Sequence, residues 1–393
     1  GALDPSGAKH CGRISALKPH CASPHAGRFP YGIDSAYIAL GRYVMLYIPA
    51  ATVSIISTGA VVGKKERNGP LSETFAPFFD SMSDPEGEDR FGQKTFERAE
   101  AEMQRRAVGQ ALSRAGLSAS DISLLFAGDL VNQCIASHYG LLSFGIPHIG
   151  IFGACSTAAE GLLLSAMTLG GGRCGSRVLN VTSSHYCTAE RQFRFPLEYG
   201  GQRTPSAQWT VTAASAFVTS IESADTPDSA YTPVIRAALP GRMVDGGIRD
   251  AGNMGAAMAP AALDTILRFR AADPDGFASL DMICTGDLGW EGSAILCDLA
   301  YTKGMSIDRI HADCGKMIYA GDDSHAGGSG CGCSGAVWAC DILENVKNGV
   351  LHSVLLVGTG ALMNTMAVSQ GQTIPGIAHA VHVIGKKNGE RQR

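Results

Sequence analysis

The sequence predicts an α/β fold built from two pseudo-repeated βαβαβ halves, and three observations lead there. Strand-like and helix-like stretches alternate along the 393 residues, as in layered α/β proteins. The order of elements in the first half recurs in the second. Each half also carries a small-residue turn directly ahead of a helical pattern, FGACST at 152–157 and GGSGCGCS at 327–334. Two copies are too few for a solenoid, so the repeat reads as a duplicated unit.

Residues 1–50 are rich in Pro, Gly, His and Cys and follow no structural period. They lack a secretory signal's basic start, apolar middle and small-residue cleavage site. The segment is expected to stand outside the fold, as a flexible or artefactual extension, with the first half at 51–220 and the second at 221–393. The 20 residues from Tyr43 to Val62 carry no charge, which is the length of a membrane span. Pro49 interrupts them, Gly59 sits inside them, and Thr52, Val53, Ile55, Ile56, Val61 and Val62 are β-branched, so a buried strand and turn is the better reading.

Apolar and alanine positions recur at helical spacing from Gln93 to Ala115. Asp121 to Asp129 (DISLLFAGD) is a continuous apolar run ending in Gly-Asp, read as a strand buried on both faces. GIPHIGIFGACSTAAEGLLLSAMTLGGG then reads as strand, tight turn and helix, followed by a strand from Arg177 to Thr182. In the second half, Met258 to Phe269 reads as helix and Leu280 to Asp287 mirrors LLFAGD. A helix opens behind the Gly-rich turn, and Ser353 to Thr359 mirrors RVLNVTS. Matching Val178 with Val354 places Cys155 opposite Cys331.

Composition narrows the function classes. With 45% hydrophobic residues, 17% charged residues and 49 glycines, the chain has ample material for a core. Its 32 Lys and Arg against 36 Asp and Glu provide no basic stripe for a phosphate backbone, so nucleic acid is not an expected partner. The 12 cysteines are scattered through apolar or Gly-rich runs and read as reduced, packed thiols. The one C-x-C, Cys331 and Cys333, lacks the second half of a zinc site, so no metal is expected. No nucleotide fingerprint follows a strand, and neither nicotinamide nor ATP is expected as a cofactor.

Cys155 stands out because a cysteine at a helix start faces unsatisfied N–H groups and the positive end of the dipole, which favours a thiolate nucleophile. The alternative is a small residue that fits a crowded turn, where Ala or Ser would serve as well. Two such halves with helices starting from small-residue turns describe the thiolase fold.

Longer motifs carry a more specific resemblance. They include ISTGAVVG (56–63), AGDLVNQ (127–133), FGACST, TSSHYCTAERQFRFPLEYGGQRTPSAQWTVT (182–212) and DAGNMGAAMAPAALDTI (250–266). TGDLG (285–289), DCGKMIY (313–319), HAGGSGCGCS (325–334) and GQTIPGIAHAV (371–381) extend the series. On these the chain resembles the stage V sporulation protein AD family, thiolase-fold ligand-binding proteins of spore-forming bacteria. The resemblance implies a layered α/β/α/β/α arrangement and direct binding of dipicolinic acid, pyridine-2,6-dicarboxylate, for its uptake into the developing spore. It also implies a homodimer formed through the strand after the nucleophile's helix, near Arg177 to Ser183. Localisation would be peripheral at the forespore or spore inner membrane, beside membrane proteins of the stage V sporulation A operon.

Thiolase-type catalysis needs two partners for the cysteine, to stabilise an oxyanion or move protons. Where condensing enzymes carry the first histidine, this chain has Thr285, Gly286 and Asp287; Ser329 stands at the second, with His325 four residues upstream. The resemblance therefore implies a non-catalytic binder. The alternative is an acyltransferase or condensing enzyme using Cys155 with His185 or His325 in an unusual arrangement. A flat dicarboxylate calls for bidentate cations, N–H donors and an aromatic face. The loop expected from His185 to Trp209 supplies them, with Tyr186, Phe193, Phe195, Arg203 and Gln208 among its members. The candidate binding set is Cys155, His185, Arg191, Arg194, Trp209, Asp287 and His325. The competing reading pairs each arginine with Glu190 or Glu198 and puts each aromatic in a subunit contact.

Overall fold

The computed structural model describes residues 45–78, 88–172, 175–193, 203–221, 229–319 and 324–388. The first 44 residues of the expected extension, and Arg194, lie outside them. Tyr47, placed in that extension by the sequence reading, exchanges two backbone hydrogen bonds of 2.8 Å with Ala238.

The first half opens with β1 (Val53–Val62), buried at all ten positions, and the four-residue helix α1 (Lys64–Arg67). It continues through α2 (Phe96–Arg114), β2 (Leu124–Asp129), α3 (Ile135–Leu141), β3 (His148–Gly150), α4 (Thr157–Gly170), β4 (Arg177–Ser184), α5 (Tyr186–Phe193), β5 (Trp209–Thr210) and β6 (Ala213–Ser220). The second half runs β7 (Tyr231–Leu239), α6 (Met254–Ala272), β8 (Met282–Thr285), α7 (Gly289–Thr302), β9 (His311–Asp313), α8 (Cys314–Ile318), β10 (Gly328–Ser329), α9 (Cys331–Val337), β11 (Ser353–Ala361) and β12 (Gly376–Lys387). The second half of the uncharged stretch, Val53–Val62, is thus strand. No helix among the described residues is long and apolar enough to cross a membrane.

Ten strands form one sheet in the order β3-β2-β4-β6-β1-β7-β12-β11-β8-β9. Read outward from the centre, the two halves match strand for strand. Leu124 pairs with Val178 as Met282 pairs with Val354, so Val178 and Val354 occupy corresponding rungs. At the centre β1 and β7 share only Val53 with Ile235 and Ser54 with Val234.

Side-chain layers complete the arrangement. Helices α2 and α3 cover the outer face of the first half and α6 that of the second, with α7 packed against α6. Helix α4 touches β2, β4 and β6 on one side and β7, β11 and β12 on the other, which makes it the middle of five layers. A helix enclosed on both sides must be apolar nearly all round, and TAAEGLLLSAMTLG is: ten of its fourteen residues are buried. Helix α9 packs on β4, β6 and α4 and buries all seven of its residues.

The expected loop from His185 to Trp209 is a helix for its first third, because Tyr186–Phe193 is short and strongly one-sided in its apolar residues. The expected dimer strand is also corrected: β4 lies inside the sheet, hydrogen-bonded to β2 on one side and β6 on the other, and has no free edge.

Strand β1 and helix α2 approach so closely at Gly59 that a β-carbon there would overlap the Ala107 carbonyl oxygen and stand 2.7 Å from the Ala111 nitrogen. Both obstacles are backbone and cannot rotate away. Gly59→Ala is expected to destabilise the protein by about 1–3 kcal/mol, measured by denaturant or thermal unfolding; an unchanged midpoint would show that strand and helix part without loss.

Candidate functional site

The turn that carries Cys155 is braced by its own side chains. Ser156 Oγ donates to Gly153 O at 2.6 Å, and Thr157 Oγ1 donates to Ala154 O at 2.7 Å while accepting from Gly153 N at 3.1 Å. Ala154 adopts φ 51°, a left-handed conformation that costs an L residue free energy. Cys155 follows it, two residues before the first residue of α4, and is 6% exposed. It packs in a small apolar cluster with Leu130, Ala189 and Cys331, with Phe193 at its border. The two pseudo-equivalent cysteines of the repeat thus meet.

From the other half, the Thr285–Gly289 turn brings Asp287 against this cluster. Asp313 clamps the turn from below, taking Thr285 Oγ1 at 2.6 Å and the Leu288 and Gly289 N–H groups at 2.8 and 2.9 Å. Asp287 is completely buried and accepts Thr359 Oγ1 at 2.7 Å, the Gly330 N–H at 2.9 Å and the Cys155 thiol. Gln208 Nε2 donates to its carbonyl oxygen at 2.6 Å. An acidic side chain therefore stands where an imidazole would be needed.

The electrostatics of burial work against a thiolate at this helix start. Burial pushes the Cys155 thiol well above its ordinary range, and the neighbouring Asp287 and Cys331 push it further. A dipole acting through the first turn of a helix is worth at most a couple of kcal/mol, and desolvation beside a carboxyl outweighs it. Burial likewise raises the Asp287 carboxyl to about 7, against the hydrogen bonds that favour its charge.

The remaining candidates are spread more widely. His185 is buried on the far side of α5. Its Nε2 lies 2.8 Å from the Asp89 carbonyl oxygen and its Nδ1 accepts the Cys187 N–H at 3.1 Å, so the Nε2 carries the proton. Arg191 is 60% exposed and forms an ion pair with Glu97 of α2; Glu198 lies outside the described residues. His325 is exposed, at φ 51°, with its Nδ1 2.8 Å from the Thr204 carbonyl oxygen. Neither imidazole is bonded to Cys155.

Trp209 marks a second cluster that the sequence reading only partly anticipated. Its indole stacks on Tyr186 at 4.1 Å and 11°. The Lys65 ammonium lies 4.5 Å and the Arg203 guanidinium 4.7 Å from its ring centre. Lys65 also faces Tyr319 at 5.3 Å, and the Tyr319 hydroxyl donates to the buried Glu66. Lys65, Glu66 and Tyr319 were missed because they lie over a hundred residues from Trp209 on one side and on the other. The signal for them was the pair of motifs around GKKER and DCGKMIY, which carry charge and an aromatic without a local partner.

Among the described residues no group of three or more His, Cys, Asp or Glu side chains is placed to hold a metal ion, and every described cysteine is a free thiol.

Comparisons with known proteins fit this geometry. The model of the family described as stage V sporulation protein AD matches residues 47–384. Stage V sporulation protein AD of Bacillus subtilis (strain 168) is 41% identical over 335 residues, covering 84% of this chain and 93% of the relative. Among solved structures, OleA of Xanthomonas campestris with bound cerulenin superimposes with a TM-score of 0.53 at 16% identity, over 86% of this chain and 98% of that one. The 3-oxoacyl-(acyl carrier protein) synthase III of Xanthomonas oryzae pv. oryzae gives 0.50 at 17% identity, over 86% and 100%. These two establish the architecture as thiolase-like, and the sequence match is far more specific: the chain belongs to the stage V sporulation protein AD family.

Proposed function

We propose that this protein binds dipicolinic acid for its uptake into the developing spore and does not catalyse acyl transfer. The observation that carries the reading is the Cys155–Asp287 contact: at the nucleophile's position a protonated thiol faces a buried carboxyl. A nucleophilic cysteine is helped by a neighbour that stabilises its thiolate, such as an imidazolium, whereas burial and then the Asp287 carboxylate raise the Cys155 thiol and neither His185 nor His325 is bonded to it. The fold is that of a condensing enzyme, and the Cys155 turn within it pairs the thiol with a carboxyl. The ligand's identity comes from the family. Attachment to the forespore inner membrane would then be peripheral, through other proteins of the stage V sporulation A operon.

The protein also works as a homodimer in this reading, through the outer edge of β3. That strand ends the sheet, all three of its residues are exposed, and Tyr139, Leu142, Ile149 and Phe152 present large apolar side chains around it. An open edge with an apolar surround invites pairing with another strand, and a second copy related by a two-fold axis satisfies both edges at once.

Calorimetry is expected to show dipicolinic acid binding to the purified protein, with no coenzyme A released from acetyl or acetoacetyl thioesters and no acyl mass added at Cys155. Release of coenzyme A without ligand heat would reverse the assignment. Light scattering should find a dimer at micromolar concentration and a monomer for Ile149→Lys; a wild-type monomer would dismiss the β3 interface.

The buried carboxyls give a pH dependence with a definite sign. Asp287 and Glu66 rise from 3.8 and 4.5 to about 7 on folding, so the native state holds extra protons and their contribution is lost as pH rises through 7. His311, His379 and His382, lowered to about 4 by burial, act oppositely but only below pH ~6.5. Between pH ~6.5 and ~8 these acids, joined by the buried Glu100 raised to about 8, act without the histidines and the melting temperature should fall. Asp287→Asn should flatten that slope; an identical slope in the variant would show that Asp287 ionises freely.

A further inference from the structure

We propose that Lys65 and Arg203, held over the Trp209–Tyr186 stack, form the cradle that grips the two carboxylates of a planar aromatic dicarboxylate. The proposal rests on the binding reading above and names the side chains that would read the ligand's charge.

Two independent observations support it. Neither cation forms an ion pair with a described acidic residue, although both sit within 5 Å of the same indole. And all three guanidinium nitrogens of Arg203 are buried without a hydrogen-bond acceptor. A buried polar group left unpaired costs free energy, more so when charged, and calls for a partner. An arginine fork presents its donors in the geometry of a carboxylate, whereas lysine offers a point charge that tolerates varied approach. A rigid ring with two carboxylates fills both.

The acidic groups nearby do not compensate the cations. Glu66, adjacent to Lys65 on α1, accepts the Thr212 N–H at 2.9 Å and the Tyr319 hydroxyl with Oε1, while its Oε2 has no partner. Burial raises it to about 7, so it withholds much of a negative charge. Asp89 accepts the Lys64 N–H at 2.8 Å. Burial lowers the Arg203 guanidinium from its ordinary range, and the nearby Tyr186 and Tyr319 act in the opposite sense.

The cradle is joined to the Cys155 turn by a short parallel ladder. Trp209 pairs with Gly328 and Thr210 with Ser329, and the next residue, Gly330, donates its N–H to Asp287. The sequence reading named Trp209 and placed Arg203 in the same segment; Lys65 completes the pair from the opposite end of the half.

The test uses the full chain and titrates dipicolinic acid, isophthalate and the monocarboxylate picolinate by calorimetry, with Trp fluorescence as a second readout. The wild type should bind the dicarboxylates at least about tenfold more tightly than picolinate. Arg203→Met and Lys65→Met should each weaken dicarboxylate binding by about tenfold or more and reduce the preference over picolinate, with Arg203→Lys restoring part of it. Unfolding midpoints near the wild-type value confirm that the variants are folded, and Lys65, on a short surface helix, is the safer of the two. If wild type and both variants bind dipicolinic acid equally, the cradle is wrong and the binding reading survives. If the wild type ignores dipicolinic acid yet binds isophthalate in an Arg203-dependent way, the ligand assignment is wrong and the cradle survives. Binding of neither compound by the wild type overturns both.

Discussion

Enclosing two helices on every side governs this molecule. Once α4 and α9 are buried between the halves, their amino-terminal turns have to emerge at one place, where the ends of β4 and β11 and the loops behind them converge. That is why Cys155 and Cys331, 176 residues apart in a chain of 393, share one apolar cluster. The pocket is a by-product of packing: a middle layer cannot be apolar throughout and also satisfy the N–H groups at its helix starts without a concave polar end. Condensing enzymes exploit that end for a thiolate. Here the same geometry holds a thiol beside a carboxyl.

The polar lining is arranged to keep charge low at the inner turn and high at the outer cluster. Asp287 and Asp313 at the inner turn are raised by burial, and each is held by hydrogen bonds from backbone amides or hydroxyls. Stacked aromatics, by contrast, carry Lys65 and Arg203 on their faces. A nucleophile requires the reverse gradient, with positive potential concentrated at the sulfur.

Much of the fold was legible because it depends on local periodicity. The run before Val62, the helix ahead of Ala115 and the correspondence of Val178 with Val354 follow from apolar spacing alone, and the sheet realises each. The Thr285–Asp287 substitution for a histidine was equally visible, since it is a residue identity at a motif position. Long-range pairing was hidden. Arg191 finds Glu97 and His185 finds Asp89, each more than 90 residues away, so their commitments were invisible in the segment around them. Strand order is likewise absent from any local pattern, which is how β4, interior to the sheet, came to be read as an edge. The Tyr186–Phe193 helix escaped because eight residues beside prolines and glycines resemble a loop by composition.

The central join between the halves spans two residue pairs, the β5–β10 ladder adds two more, and helices that the chain supplies out of order make further contacts between them. Thr58 Oγ1 donates to Ala339 O across 281 residues, and α9 covers strands that were complete by Ser220. A ribosome adding about 5–20 residues per second therefore leaves the part of the inner face that α9 covers open for on the order of ten seconds after the last strand of the first half has emerged. During that interval the newborn half has only α4 over its inner face and displays the apolar strip on β4 and β6 that α9 later takes.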